Sequence, residues 1–190
     1  VISIEQKTTN KNPRSTVGTI TEIYDFLRLL FARASDAYSY VTNEKMVKYT
    51  DEQIVDLIAQ NYNEKKVVLL APLIKGRKGH YKELFERLRK KGFLNVRVDG
   101  ELREIKHGMK LHRYKIHHIE LVIDKLKINQ NDTQRLKKSV KIALDEGDST
   151  LMLLDYETSS SRFFSRNLMC PTSGISYNPP APHSFSFNSP

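Results

Sequence analysis

The chain has 190 residues and sets 31 Lys and Arg against 22 Asp and Glu, a formal net charge of +9. That length suits one good hydrophobic core, or one core with a satellite, and the cationic excess favours a polyanion or an acidic protein surface as partner. A single cysteine, Cys170, excludes an internal disulfide and a multi-cysteine zinc site, and no apolar run approaches the roughly 18 residues of a membrane helix.

No signal-peptide pattern opens the chain, so a cytoplasmic location is expected. The start at Val1, without methionine, is expected of a piece of a longer protein. Residues 1–18 read as a linker. Lys7, Lys11 and Arg14 stand among Thr8, Thr9, Asn10, Asn12 and Pro13 with no apolar period. A loop of cations and short hydroxyls suits phosphate contacts; the alternative is a solvated linker. Thr19 and Glu22 have capping-box spacing and open a helix over 19–34. Ile20, Tyr24, Leu27, Phe31 and Ala34 form its stripe, and Ile23, Phe26 and Leu30 widen it, so the helix is expected to be covered on more than one side. Residues 35–49 are polar and turn-like. A second capping box, Thr50 with Gln53, starts a helix with Ile54, Leu57, Ile58 and Tyr62 on one face.

The run 66–72 is continuously apolar from Val67 to Ala71 and closes on Pro72, which reads as a strand covered on both faces. Gly76, Arg77, Lys78, Gly79 and His80 then form a glycine-bracketed basic loop. It is not a P-loop, because no Gly-Lys-Ser/Thr follows the glycines. On such a turn Arg77, with Lys78 beside it, offers a planar bidentate fork to a protein carboxylate. The next helix turns Tyr81, Leu84, Phe85 and Leu88 inward, gathers Arg87, Arg89, Lys90 and Lys91 on its polar side and end, and stops at Gly92.

Leu94, Val96 and Val98 alternate with Asn95 and Arg97, and Asp99-Gly100 signals a tight hairpin with a return strand over 101–105. Residues 106–116 are basic and irregular. In the strand 117–128, Ile119, Leu121 and Ile123 point one way while Leu126 and Ile128 fall on the opposite parity, so a bulge near 124–125 is expected. Neighbours His117 and His118 face opposite ways, and none of the six histidines has ligand spacing. Asn131 and Gln134 cap a helix with Leu136, Val140, Ala143 and Leu144 inward and Gly147 closing it. A buried strand at 150–156, a serine turn at 159–161 and a partner strand at 162–166 follow; the Pro- and Ser-rich end has no core of its own. Strands and helices in this order argue for an α+β fold, a mixed, largely antiparallel sheet with packed helices and an N-terminal helical flank.

Five ordered stretches carry a resemblance: ISIEQKTTNKNPRSTVGTITEIYDFLRLLFARA, LLAPLIKGRKGHYKELFERLRKKGFLNVRVDGE, HHIELVIDKLKI, RLKKSVKIALDEGD and FSFNSP. Together they resemble the UvrA family, the damage-recognition ATPases of bacterial nucleotide excision repair. The resemblance implies that 50–156 is an inserted UvrB-binding domain. It implies that 1–49 is a linker and helix of the first ATPase module's signature region, and that 157–190 leads back to that module. The expected function is that of a non-catalytic fragment that binds UvrB and helps load it at damaged DNA; the alternative is chiefly a basic nucleic-acid-binding module. Charges matching the family's UvrB-binding surface include Arg89, Arg97, Asp99 and Glu120, with Arg77, Lys78 and Lys90 as neighbours. Arg97 and Glu120 are expected to point outward. Gln6 falls where the family's Q-loop glutamine lies, and Lys7, Arg14 and Arg28 are the DNA-side candidates. ATP with magnesium, a UvrA homodimer and damaged duplex DNA belong to the intact protein. The family often has a cysteine pair within 35–49, which this chain lacks. Cys170-Pro171-Thr172-Ser173-Gly174 stands where it often carries Cys-Pro-x-Cys-Gly, half of a four-cysteine zinc site, with the other half expected beyond Pro190. Ser173 is a poor zinc ligand, so no zinc is expected.

Overall fold

The computed structural model describes residues 18, 22–131, 133–177 and 180–186. The chain divides into two compact units, Val1–Asp36 with Asn178–Pro190, and Ala37–Tyr177. In the smaller unit, helix α1 (Ile23–Ala34) packs with a 3-10 turn (Pro182–Phe185). Arg28 Nε donates to the Pro182 carbonyl at 2.9 Å, the Tyr24 hydroxyl donates to the Phe185 carbonyl, and the Phe31 and Phe185 rings lie 5.9 Å apart. The helix begins later than its sequence suggests. Glu22 precedes it in a left-handed conformation without a side-chain cap, and Thr19 lies outside the described residues. No helix residue is buried. Ile23, Phe26, Leu27, Leu29, Leu30 and Phe31 are exposed, so the broad stripe is open to solvent over the described residues.

The larger unit is built on a six-stranded antiparallel sheet in the order β3-β2-β4-β1-β5-β6. Its strands are β1 (Lys66–Lys78), β2 (Asn95–Val98), β3 (Glu101–Glu104), β4 (Ile116–Lys127), β5 (Thr150–Asp155) and β6 (Ser161–Ser165). A short ribbon, β7 (Leu168–Met169) with β8 (Ser176–Tyr177), follows. The helices are α2 (Asp51–Asn61), α3 (Lys82–Lys90) and α4 (Gln134–Glu146). With α1 they complete an α+β architecture.

One sheet face carries the core. Ile54, Val55, Ile58 and Ala59 of α2 and Leu136, Val140, Ala143 and Leu144 of α4 bury against Val67, Leu69, Leu151, Leu153 and Phe164. Leu57 and Tyr62 sit at the margin of this cluster. Under α3, Phe85 and Leu88 pack on Ala71, Val96, Val98, Ile119 and Leu121. The alternate positions Val68, Leu70, Val122 and Met152 form a smaller cluster. The apolar run of β1 is thus buried on both faces, which explains its lack of alternation.

Several local signals hold. Thr50 and Gln53 make the reciprocal capping box. Asp99 (φ 52) and Gly100 (φ 91) close the β2–β3 hairpin with both central residues left-handed, as a type I′ turn needs. After α3, Gly92 N–H bonds to Arg89 O and Phe93 N–H to Leu88 O, a Schellman ending.

Other expectations are corrected. β1 does not stop at Pro72; it runs to Lys78, so Arg77 and Lys78 lie in a strand opposite His117 and Ile116 rather than in a loop. Proline is tolerated because β5 pairs only as far as Leu70 and a register shift follows Pro72. A second shift spans Gly76 (φ 63). The β4 bulge falls at Ile123, since Leu69 faces Asp124 while Leu70 faces Val122. Leu94 precedes β2 and is 66% exposed. Asn131 does not cap α4: its N–H turns back to Asn129 Oδ1, and Thr133 precedes the helix without a side-chain cap.

Candidate partner-binding surface

At the hairpin end of the sheet, β1, β2 and β4 bring charges together by register. Arg97 lies directly opposite Glu120, and its Nη1 is 3.5 Å from Glu120 Oε2. Both alternate away from the α3 side, as their parity requires. Yet Glu120 is buried, which corrects its expected outward placement. Burial pushes the Glu120 carboxyl up, and the Arg97 guanidinium opposes that shift. Arg97 Nε is buried without a partner. Beside them Lys75 donates to the Gly174 carbonyl at 2.8 Å and lies over the Phe163 ring.

Asp99, at the hairpin tip, is committed internally. Its Oδ2 meets His117 Nδ1 at 2.7 Å and its Oδ1 accepts the His118 N–H at 2.8 Å. The other His117 nitrogen faces the His112 carbonyl at 2.9 Å. His117 is buried and His118 exposed. This pair was missed by sequence reasoning, although His117 shares parity with the core residues Ile119 and Leu121, a signal that was there to read.

The remaining candidates point into water. Arg77 and Lys78 are exposed, and their carbonyls accept the Tyr81 hydroxyl. Arg89 and Lys90 end α3 and are exposed; cations there also suit the helix dipole. Between β1 and α3, Lys78, His80, Tyr81, Glu83, Arg113 and Tyr114 line an open concavity of about 650 Å³. The sheet separates the candidates: α3 covers one face, and the Arg97–Glu120 pair occupies the other.

In the smaller unit Arg28 is half-buried, with Nη1 3.0 Å from Asp25 and its guanidinium over the Tyr24 ring. It clasps α1 to the 3-10 turn. Gln6, Lys7 and Arg14 lie outside the described residues. Among the described residues no three His, Cys, Asp or Glu side chains gather in a metal-holding group.

Residues 49–157 match the family model described as the UvrA interaction domain. The whole chain also aligns with curated proteins named UvrABC system protein A. It is 44% identical to that of Methanothermobacter thermautotrophicus, 42% to that of Thermus thermophilus and 40% to that of Deinococcus radiodurans. Each alignment covers 100% of this chain but only 19–20% of the relative, so the chain spans about one fifth of their length.

Proposed function

The chain belongs to the UvrA family through its interaction domain, and from that premise we propose that it carries the surface by which a UvrA protein engages UvrB in nucleotide excision repair. The observation that carries this reading is a division of labour among its charges. Arg97 is paired with Glu120, and Asp99 with His117. Arg77, Lys78, Arg89 and Lys90 are exposed, without a carboxylate partner among the described residues. A firm internal scaffold with outward cations suits an acidic protein surface, because unpaired charges set register and association rate.

The fragment itself acts by binding, not by catalysis. In the intact protein ATP with magnesium, a second UvrA copy and damaged duplex DNA are the further partners in this reading, with Gln6 on the nucleotide side and Lys7, Arg14 and Arg28 on the DNA side. Arg28 is the weakest of these, being occupied by Pro182 and Asp25. No helix among the described residues is long and apolar enough to cross a membrane, and action in the cytoplasm is part of the proposal.

The net charge of +9 favours a second reading, a general nucleic-acid-binding module. Titrating the chain separately with UvrB and with duplex DNA at moderate salt distinguishes them. A UvrB complex supports the first reading. Tight DNA binding with no UvrB complex overturns it.

A further inference from the structure

Two turns in the larger unit follow one pattern. In residues 39–44, Ser39 N–H bonds to Glu44 O at 2.9 Å and Asn43 N–H to Ser39 O at 2.8 Å. In residues 170–175, Cys170 N–H bonds to Ile175 O and Gly174 N–H to Cys170 O, both at 2.9 Å. The same place in each turn is left-handed, Asn43 at φ 56 and Gly174 at φ 65. In each, the first side chain accepts backbone N–H groups of its own turn. Ser39 Oγ takes those of Val41 and Thr42 at 3.3 Å, and Cys170 Sγ takes that of Ser173 at 3.4 Å. The two turns meet where Thr42 Oγ1 lies 3.2 Å from Cys170 Sγ. Val47 and Met169 tie their flanks by reciprocal 2.9 Å backbone bonds. The turn facing Cys170 is therefore upstream in the chain, not beyond Pro190.

Paired turns that each offer two side chains separated by two residues are the framework of a four-ligand structural zinc site. Here the four positions are Ser39, Thr42, Cys170 and Ser173: one thiol and three hydroxyls. Neutral hydroxyls are not among the N, S and carboxylate donors zinc takes in such sites, and even with the Glu44 carboxylate beside Cys170 the joint offers no third such donor among the described residues, so the donor set does not fit the metal.

We infer that this joint keeps a zinc-knuckle framework without zinc, and that the Glu44 carboxylate does the metal's work of tying the two turns together. Its Oε1 accepts the Thr172 hydroxyl at 3.0 Å. Its Oε2 accepts the Cys170 thiol at 3.3 Å and lies 3.4 Å from Thr42 Oγ1. One carboxylate thus reaches both turns through three side chains. The Thr172 hydroxyl, the largest influence, and then the Cys170 thiol hold that carboxyl below its ordinary range, as expected of an acceptor stabilised in its charged form.

The test measures zinc content and melting temperature on the full chain grown with added zinc. The parent is expected to contain no zinc and to melt identically with or without chelator. Ser39→Cys/Thr42→Cys/Ser173→Cys is expected to take up one zinc per chain and to lose melting temperature on chelation. Glu44→Ala is expected to lower the parent's melting temperature with metal content unchanged. Stoichiometric zinc in the parent overturns the inference. So does a triple variant that folds, by circular dichroism, yet binds none, or a Glu44→Ala chain that melts like the parent.

Discussion

His117 has an acceptor at each ring nitrogen, the Asp99 carboxylate and the His112 carbonyl, so only its doubly protonated form satisfies both. The Asp99 hydrogen bond raises the His117 pKa, against burial. Burial works against the Asp99 carboxylate in turn, but the His118 N–H and the His117 ring outweigh it and hold Asp99 below its ordinary range. The sign of the linkage follows. The raised histidine contributes fully below its unfolded pKa of about 6.5 and loses that contribution as pH rises through its folded value. The depressed aspartate contributes above its unfolded pKa of about 3.9 and loses it as pH falls through its folded value. The parent should therefore out-melt His117→Gln most clearly between those limits, and the gap should narrow as pH rises above the upper one. A gap that does not narrow as pH rises beyond that window would contradict a charged pair.

Between α4 and β5, Gly147 has no room for a side chain. A Cβ on Gly147 would lie 2.2 Å from Thr150 O and 2.8 Å from Ala143 O, both backbone atoms. Gly147→Ala should therefore cost well beyond an ordinary glycine-to-alanine change, on the order of 3 kcal/mol by urea unfolding. A loss under about 1 kcal/mol would mean that β5 can shift to make room. The sequence marks Gly147 as a helix stop, but the requirement is space and not a left-handed φ, and space depends on a strand that follows. The same distinction runs through the fold. Cap, hairpin and Schellman signals are written within a few residues, so Thr50, Asp99-Gly100 and Gly92 could be read directly. The passage of β1 beyond Pro72 depends on how far β5 reaches along it, which no window around Pro72 contains. The Ile123 bulge lies between: its existence shows in the parity of Leu126 and Ile128, while its position depends on the partner strand. In the candidate surface, exposed cations were legible as such. The Arg97–Glu120 and Asp99–His117 pairs were not, because they depend on strand register across separations of 23 and 18 residues.

For the molecule as a whole, those pairings decide which substitutions can test partner binding. Arg89→Glu/Lys90→Glu alters exposed charge at a helix end and should weaken the proposed UvrB complex about tenfold at low salt, with melting little changed. The loss should shrink as salt rises and screens the surface charges. Arg97→Glu would set a second carboxylate against the buried Glu120, so stability and binding should fall together. If both variants lose binding without losing stability, the internal pairing of Arg97 is refuted. The position of β1 has a separate consequence, for the birth of the chain. It is the first strand of the sheet to be made, yet its neighbours pair through contacts such as Lys66 with Lys127 and Val67 with Asp155. During synthesis the run 67–71 therefore emerges apolar, with both hydrogen-bonding edges open. Such a segment readily adds to a like segment of another chain. Lys65 and Lys66 before it and Pro72 after it are the charges and the breaker that discourage that addition, so a proline the finished sheet merely tolerates protects the chain before the sheet exists.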